Sequence, residues 1–426
     1  MRRPCRPAAA ALAAAVAGTA LLGAVAPAAH AQPVPPPPPV ITPDTSGCPA
    51  RTAPPPPVDT SEVAAPDAAA PEPLPVPDEP VGGERMGECG AVLPAGAPPL
   101  PDGITATSWL VADLDTGAVL AAKDPHGRHR PASTIKLLTA LVAVEQLPLD
   151  RVVTATRADA AVEGSSAGIG PGGRYTVRQL LAGLLLASGN DTAHALARVM
   201  GGVAPTLAAM NTRARALGAT DTRAASPSGL DGPGMSTSAY DLALIFREVM
   251  QQPVLATLLQ TEQVTFPGFG GRPGYVIGND NRLLYNYPGA LGGKTGFTDN
   301  ARHTYVGAAE RGGHRLVAVL LRAEQQPIPT WEQAAWLLQY GYALGSNAPV
   351  GRLVTGPPEP DTVTPTAEPT TTTTDVAADD VAAGPGPRPN AQPATSAIVG
   401  WAIAGTALLV GGLLGLALGL RRTHRT

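Results

Sequence analysis

Ser133 and Lys136, three residues apart in "PASTIKLLTALVAVEQL" (131–147), raise the first chemical question in this sequence. The 426-residue chain carries 30 basic residues, and its lysines are Lys123, Lys136 and Lys294. Arginine stays protonated in proteins, whereas a desolvated lysine can lose its proton and act as a base. At i, i+3 the two side chains share a helix face and reach each other. Ser133 falls in the first turn, where free N–H groups and the helix dipole favour a developing negative charge. A neutral Lys136 would take the Ser133 proton, provided burial and a nearby cation depress its pKa. Lys294 is the candidate for that cation. Ser-x-x-Lys alone is mostly a solvated helix face, so the rest of the chain has to decide.

Competing nucleophile patterns fail on context. Asp115-Thr116-Gly117 matches the aspartic-protease signature, but that chemistry needs two carboxylates sharing a proton, and the chain offers one copy. The triplet reads as a hairpin turn. Gly164-Ser165-Ser166-Ala167-Gly168 fits G-x-S-x-G, a motif that belongs between a strand and a helix. "IGPGG" follows and would break any helix, so this segment reads as a loop. The seven histidines are scattered without metal-ligand spacing, so neither a metal nor a cofactor is expected.

The elements that must hold the pair can be read on either side of it. "TSWLVADLDTGAVLAAKD" (107–124) reads as two strands around a turn. A helix at 132–147 follows, with Pro131 where a helix start tolerates it. "YTVRQLLAGLLLASGNDTAHALARVMGG" (175–202) gives a helix, a polar break at Ser188-Gly189-Asn190-Asp191 and a second helix. Further helices are expected at 203–217 and 237–259. After a Gly-rich loop come three β-type runs, "GGKTGFT", "HTYVGAAE" and "RLVAVLLR", and "TWEQAAWLLQYGYAL" closes the region as a helix. Strands at both ends with helices between them predict an α+β fold, an antiparallel sheet holding a helical insertion.

Three motifs in order, Ser133-x-x-Lys136, Ser188-Gly189-Asn190 and Lys294-Thr295-Gly296, form the set of penicillin-binding proteins and serine β-lactamases. With "GSSAGIGPGGRYTVRQLLAGLLLASGNDTA", "SPSGLDGPGMSTSAYDLA" and "NRLLYNYPGALGGKTGFTD", residues 103–345 resemble the low-molecular-weight serine D-alanyl-D-alanine carboxypeptidases. The resemblance implies the fold of that group, an antiparallel sheet flanked by helices with a helical insertion subdomain. It implies Ser133 as nucleophile, acylated by the penultimate D-Ala of a peptidoglycan stem peptide, and Lys136 as general base. Ser188 would relay a proton and Asn190 hold the substrate amide. Lys294 and Thr295 would recognise the terminal carboxylate, with help from Arg322, for which a solvated strand end is the other reading. The oxyanion hole would be the N–H groups of Ser133 and Phe297. Gly296 would let substrate approach the strand backbone. No Glu-x-x-x-Asn pattern follows Ser188 at the distance a class A β-lactamase uses, so efficient β-lactam hydrolysis is not expected. DD-endopeptidase or weak transpeptidase activity would use the same residues. An inactive wall-binding module on a tether is the reading from another class.

The flanks place this core. Residues 1–31 look like a signal peptide, with Arg2, Arg3 and Arg6 before an apolar run that ends in Ala29-His30-Ala31. Residues 32–100, with "PVPPPPPV" and "APEPLPVPDEP", read as an extended extracytoplasmic spacer. The catalytic domain is expected over 101–347 and a Pro/Thr-rich linker over 348–396. "AIVGWAIAGTALLVGGLLGLALGL" (397–420) is long enough to span a bilayer, and "RRTHR" after it puts the tail 421–426 in the cytoplasm. Cys5 falls in the signal; Cys48 and Cys89 are either a disulfide in an oxidising compartment or two unpaired thiols. A net charge of −4 without a basic stripe excludes nucleic acid as an expected partner. The expected partners are peptidoglycan stem peptides, β-lactams as covalent inhibitors, and a membrane.

Overall fold

The computed structural model describes residue 48 and residues 50–345 and 348–357. The signal-like start, most of the Pro/Thr-rich linker and the apolar run 397–420 lie outside the described residues. Among those described, no single helix is long and apolar enough to cross a membrane.

The main sheet is antiparallel and runs β1 (Ala91–Val92), β3 (Ala118–Lys123), β2 (Ser108–Asp113), β10 (His314–Ala323), β9 (Arg302–Arg311), β8 (Ala290–Thr298). A further short strand, β11 (Gly351–Arg352), also pairs with β3. The hairpin between β2 and β3 forms because Asp113 Oδ1 accepts the N–H groups of Asp115 and Thr116, at 3.0 and 2.7 Å. Gly117 then takes φ 76°, open to glycine at little cost.

Strands β2 and β10 are apolar on both faces because the sheet is covered on both faces. Leu110, Ala112, Val317, Val319 and Leu321 point into one core, and Trp109, Val111, Leu316, Ala318 and Leu320 into the other. This is the period-two geometry of a strand applied to a run with no polar side. The second core is closed by α9 (Thr330–Leu344) through Leu337 and Leu338.

Between β3 and β8 the chain inserts its helical part: α1 (Lys136–Gln146), α2 (Arg157–Ala160), α3 (Val177–Leu186), α4 (Asn190–Val199), α5 (Val203–Leu217), α6 (Ala239–Val249), α7 (Pro253–Leu259) and α8 (Leu283–Asn286). A capping box opens α3: Thr176 Oγ1 accepts the Gln179 N–H at 3.2 Å, and Gln179 Oε1 accepts the Thr176 N–H at 2.8 Å. A Cβ on Gly183 of α3 would lie 2.8 Å from both Ala167 and Thr192, so α3 packs tightly on the 165–169 loop and on α4. That contact fixes the Ser188–Asn190 break.

The helix expected over 237–259 is two helices, α6 and α7, whose axes differ by 111°. Pro253 heads α7, where its missing N–H costs nothing, and cannot continue α6. Two small hairpins, β4 (Val152–Thr154) with β5 (Arg174–Thr176) and β6 (Gln263–Phe266) with β7 (Tyr275–Gly278), escape sequence reading because their strands are only three or four residues long.

The proline-rich segment, expected as an extended spacer, packs on the domain where it is described. Its described part, 50–100, lies on the domain, with β1 on the sheet edge. A Pro-rich chain has few N–H donors but many carbonyls, and the domain supplies the missing donors from arginine. Arg128 donates to the carbonyls of Thr52, Leu74 and Pro75 at 2.6–2.8 Å, and Arg223 donates to Glu72 at 2.8 Å. Cys48 and Cys89 are joined by a disulfide that closes this loop.

Candidate active site

Ser133 sits in a turn of 3-10 helix, Ala132–Ile135, that leads into α1. This corrects the expectation of a regular first α-turn. Ala132 takes φ 46°, a left-handed conformation unusual for alanine, and the tighter turn carries Ser133 to the head of the helix. Lys136 Nζ lies 2.8 Å from Ser133 Oγ, so the pair expected from i, i+3 spacing is formed.

The remaining partners of Lys136 are both acceptors. Its amine lies 2.7 Å from Asn190 Oδ1 and 2.5 Å from the Ser228 carbonyl. The Asn190 orientation is fixed by its Nδ2, which donates to the Glu163 carbonyl at 2.6 Å. Asn190 Oδ1 and the Ser228 carbonyl can only accept, whereas the Ser133 hydroxyl can donate or accept. An ammonium would donate to all three oxygens; a neutral amine keeps two N–H groups for the two obligate acceptors and turns its lone pair to the hydroxyl, so the geometry accommodates both forms. The environment favours the neutral form. Lys136 is 0% exposed; burial first and the Lys294 cation second hold it well below the ordinary lysine range, against the opposing carboxylates of Asp280 and Asp191.

The "GSSAG" loop serves this amine at one remove. Asp191 is buried and its carboxylate accepts from Ser166 Oγ and from the N–H groups of Ala167, Gly168 and Ile169, at 2.7–3.0 Å. The loop is thereby tied to the start of α4, next to Asn190. Ser188 is buried at φ 55°, and its hydroxyl makes no hydrogen bond among the described residues.

Lys294, Thr295 and Gly296 lie on β8, the strand that ends the sheet and faces Ser133. Lys294 is fully buried. Its Nζ donates to the Thr295 carbonyl at 3.0 Å and sits 3.5 Å from Asp280 Oδ2; burial lowers its pKa and Asp280 opposes that. Thr295 Oγ1 donates to the same carboxylate at 2.7 Å. The reason offered for Gly296 also changes. A Cβ there would stand 2.3 Å from Thr304 Oγ1 and 2.9 Å from Ser133 N, so glycine is needed to bring β8 against the nucleophile turn. Phe297 follows on the same strand, its ring 48% exposed and 4.6 Å from that of His303.

Arg322 takes φ 50° at the end of β10 and donates through Nη1 to the Asn300 carbonyl at 3.0 Å. It forms no ion pair among the described residues, and its Nε is buried without a partner. Arg302 beside it is paired to Glu324 at 3.1 Å, and Arg130 to Glu62.

Sequence reading missed Asp280, Asn300 and the 226–230 loop. Asp280 had a weak signal, since "GND" precedes the Lys-Thr-Gly strand by a short span. The loop was visible only as part of "SPSGLDGPG", and its contribution is a backbone carbonyl, which no side-chain pattern encodes. Two groups have metal-like proximity among the described residues. In one, Cys48 and Cys89 are already bonded to each other. In the other, His126 has one nitrogen 2.7 Å from Asp221 and the other 2.9 Å from the Val81 carbonyl, a structural clamp.

Comparison with known proteins agrees with this geometry. The peptidase S11 family, described as D-alanyl-D-alanine carboxypeptidase, matches residues 95–325. D-alanyl-D-alanine carboxypeptidase DacB2 of Mycobacterium tuberculosis is 51% identical over 266 residues, 62% of this chain and 90% of that protein. DacF of Bacillus subtilis is 33% identical over 58% of this chain, which spans 64% of DacF. The crystal structure of a D-alanyl-D-alanine carboxypeptidase from M. tuberculosis superposes with a TM-score of 0.59 at 49% identity, over 62% of this chain and all of that one. The Streptomyces K15 DD-transpeptidase gives 0.55 at 32%, over 58% of this chain and all of its own. The chain belongs to the D-alanyl-D-alanine carboxypeptidase family of serine peptidases.

Proposed function

We propose that this chain removes the terminal D-Ala from peptidoglycan stem pentapeptides through an acyl-enzyme on Ser133, and that penicillin inhibits it by acylating the same oxygen. The observation that carries the reading is Lys136 Nζ held between two obligate acceptors and Ser133 Oγ. Lys136 takes the Ser133 proton as Oγ attacks the penultimate D-Ala carbonyl. The oxyanion is received by the N–H groups of Ser133 and Phe297; β8 ends the sheet, which leaves a row of its backbone groups unpaired. As the C–N bond breaks, the proton passes from Lys136 to the leaving D-Ala amine, with Ser188 as relay. Water then attacks the ester with Lys136 again as base. Asn190 holds the substrate amide; Lys294 and Thr295 receive the terminal carboxylate along with Arg322, the cation left unpaired beside two neutralised ones.

The likeness to a DD-transpeptidase favours a second outcome for the same acyl-enzyme, transfer to an amine instead of water. The signal-like residues 1–31 and the apolar run 397–420 support a domain that works outside the cytoplasm and is tethered to a membrane.

The test is incubation of the purified chain with a fluorescent penicillin and, separately, with an acyl-D-Ala-D-Ala peptide. Mass spectrometry should place the penicillin adduct on the "PASTIK" peptide, and free D-Ala should appear in the second reaction. An adduct on another serine, or none at saturating drug, would overturn the assignment of Ser133. Adding an amine acceptor measures the share of transfer.

A further inference from the structure

We infer that residues 55–62 of the proline-rich segment form a strap that is a working part of the site, holding Arg322 in place through Asn300. This rests on the carboxylate role proposed for Arg322.

The strap bridges two walls of the site. On one side it grips Arg130, three residues before Ser133: Glu62 pairs with the guanidinium and the Pro55 carbonyl accepts from Nη1 at 2.7 Å. On the other it grips Asn300, in the tight turn between β8 and β9. Asn300 Oδ1 accepts the Val58 N–H at 2.5 Å, and its Nδ2 donates to Asp59 Oδ1 at 2.9 Å and Ser61 Oγ at 3.0 Å, with Asp231 Oδ2 at 3.3 Å. The side chain of Asn300 is therefore spent on the strap, while its backbone carbonyl accepts from Arg322.

Arg322 has reason to need this support. Its backbone is left-handed, and the cations of Arg130 and Arg302 lie close enough to oppose its charge. Glu324 neutralises Arg302, and the strap's Glu62 neutralises Arg130. Removing the strap would free the Asn300 turn and leave Arg130 an uncompensated buried cation beside Arg322. Asn300 is thus a positioning residue for carboxylate recognition, and the strap an element that sets selectivity for substrates ending in a free carboxylate.

The experiment compares kcat/KM for an acyl-D-Ala-D-Ala peptide and for its C-terminal amide, using the full chain. The variants are Asn300→Ala, the strap double variant Asp59→Ala with Ser61→Ala, Arg322→Ala, and the strap and Arg322 changes combined. Asp59 and Ser61 are exposed, so the double variant tests the strap even if Asn300→Ala fails to fold. The strap variant should lose preference for the acid by about tenfold, the scale of one charge-assisted hydrogen bond, mainly through KM. The amide rate should stay unchanged, and the combined variant should lose no more than Arg322→Ala. Wild-type preference in the strap variant, or losses that simply add to those of Arg322→Ala, would overturn the inference alone. A wild-type chain that cleaves neither substrate, or shows no preference for the acid, overturns the carboxylate reading and this inference with it.

Discussion

At the scale of single residues, the choice of lysine at 136 fits what its side chain touches. Arginine at 136 would keep a positive charge near Ser133 but could not surrender its proton, and its five donors would face three oxygens gathered around a single amine. Lys136→Arg should therefore lower the penicillin acylation rate by ~10²–10⁴-fold, the range for losing a general base, with the fold intact by circular dichroism. A second residue tests the electrostatics. The Lys294 cation depresses Lys136, and Asp280 opposes it. In Lys294→Gln the depressing charge is gone and Asp280 is left unpaired, so both changes raise the pKa of Lys136. With the neutral amine as the proposed active form, the acidic limb of the acylation rate should move to higher pH; a limb that stays put or moves down would mean that another group controls it. The meeting of Ser133, Lys136 and Asn190 was legible because each is a side chain in an ordered motif. Asp280 and the Ser228 carbonyl were not, since their meaning arises only when distant segments meet.

Elements position these residues by close approach, and glycine marks where the approach is closest. A Cβ on Gly229 would lie 1.9 Å from the Ala132 carbonyl oxygen and 2.9 Å from Ser133 N, and Gly229 takes φ 87°. Gly172 provides the comparison, at φ 80° with open space around the missing Cβ. Alanine at 172 should cost only the left-handed backbone term, roughly 1–2 kcal/mol. Alanine at 229 costs the same and also pushes the 226–230 loop off the nucleophile turn, moving the Ser228 carbonyl away from Lys136. Thermal melts should show the larger loss for Gly229→Ala, and acylation should collapse in that variant while Gly172→Ala keeps near wild-type rates. Most of the framework that makes this contact could be read from periodicity: the β2–β3 hairpin, α3 and α4 with the break between them, β8 to β10, and α9. The exceptions have physical causes. The turn at Ser133 tightened to 3-10 geometry under contact from β8 and the 226–230 loop, and α6 and α7 parted at Pro253.

For the whole molecule, the least legible feature was the course of residues 50–100. Proline content argues correctly that this segment cannot build its own secondary structure. It does not reveal that Arg128, Arg130 and Arg223 offer donors to its carbonyls, because those pairs lie 53 to 151 residues apart. The disulfide between Cys48 and Cys89 closes a loop around this segment, across a sequence separation of 41. In the reduced unfolded chain that loop has far more conformations to lose, so the bond should stabilise the folded state by about 2–4 kcal/mol. Replacing both cysteines with serine should lower the urea midpoint accordingly and open residues 50–80 to proteases before the core is cut. Reductant should reproduce both effects in the wild-type chain and do nothing further to the variant. If early cleavage in 50–80 appears equally in the oxidised wild type, the arginine contacts and the disulfide together do not hold the segment, and its docking is weaker than its hydrogen bonds imply. If the midpoint falls while the segment stays protected, the bond acts on the unfolded chain alone and the arginines suffice for docking.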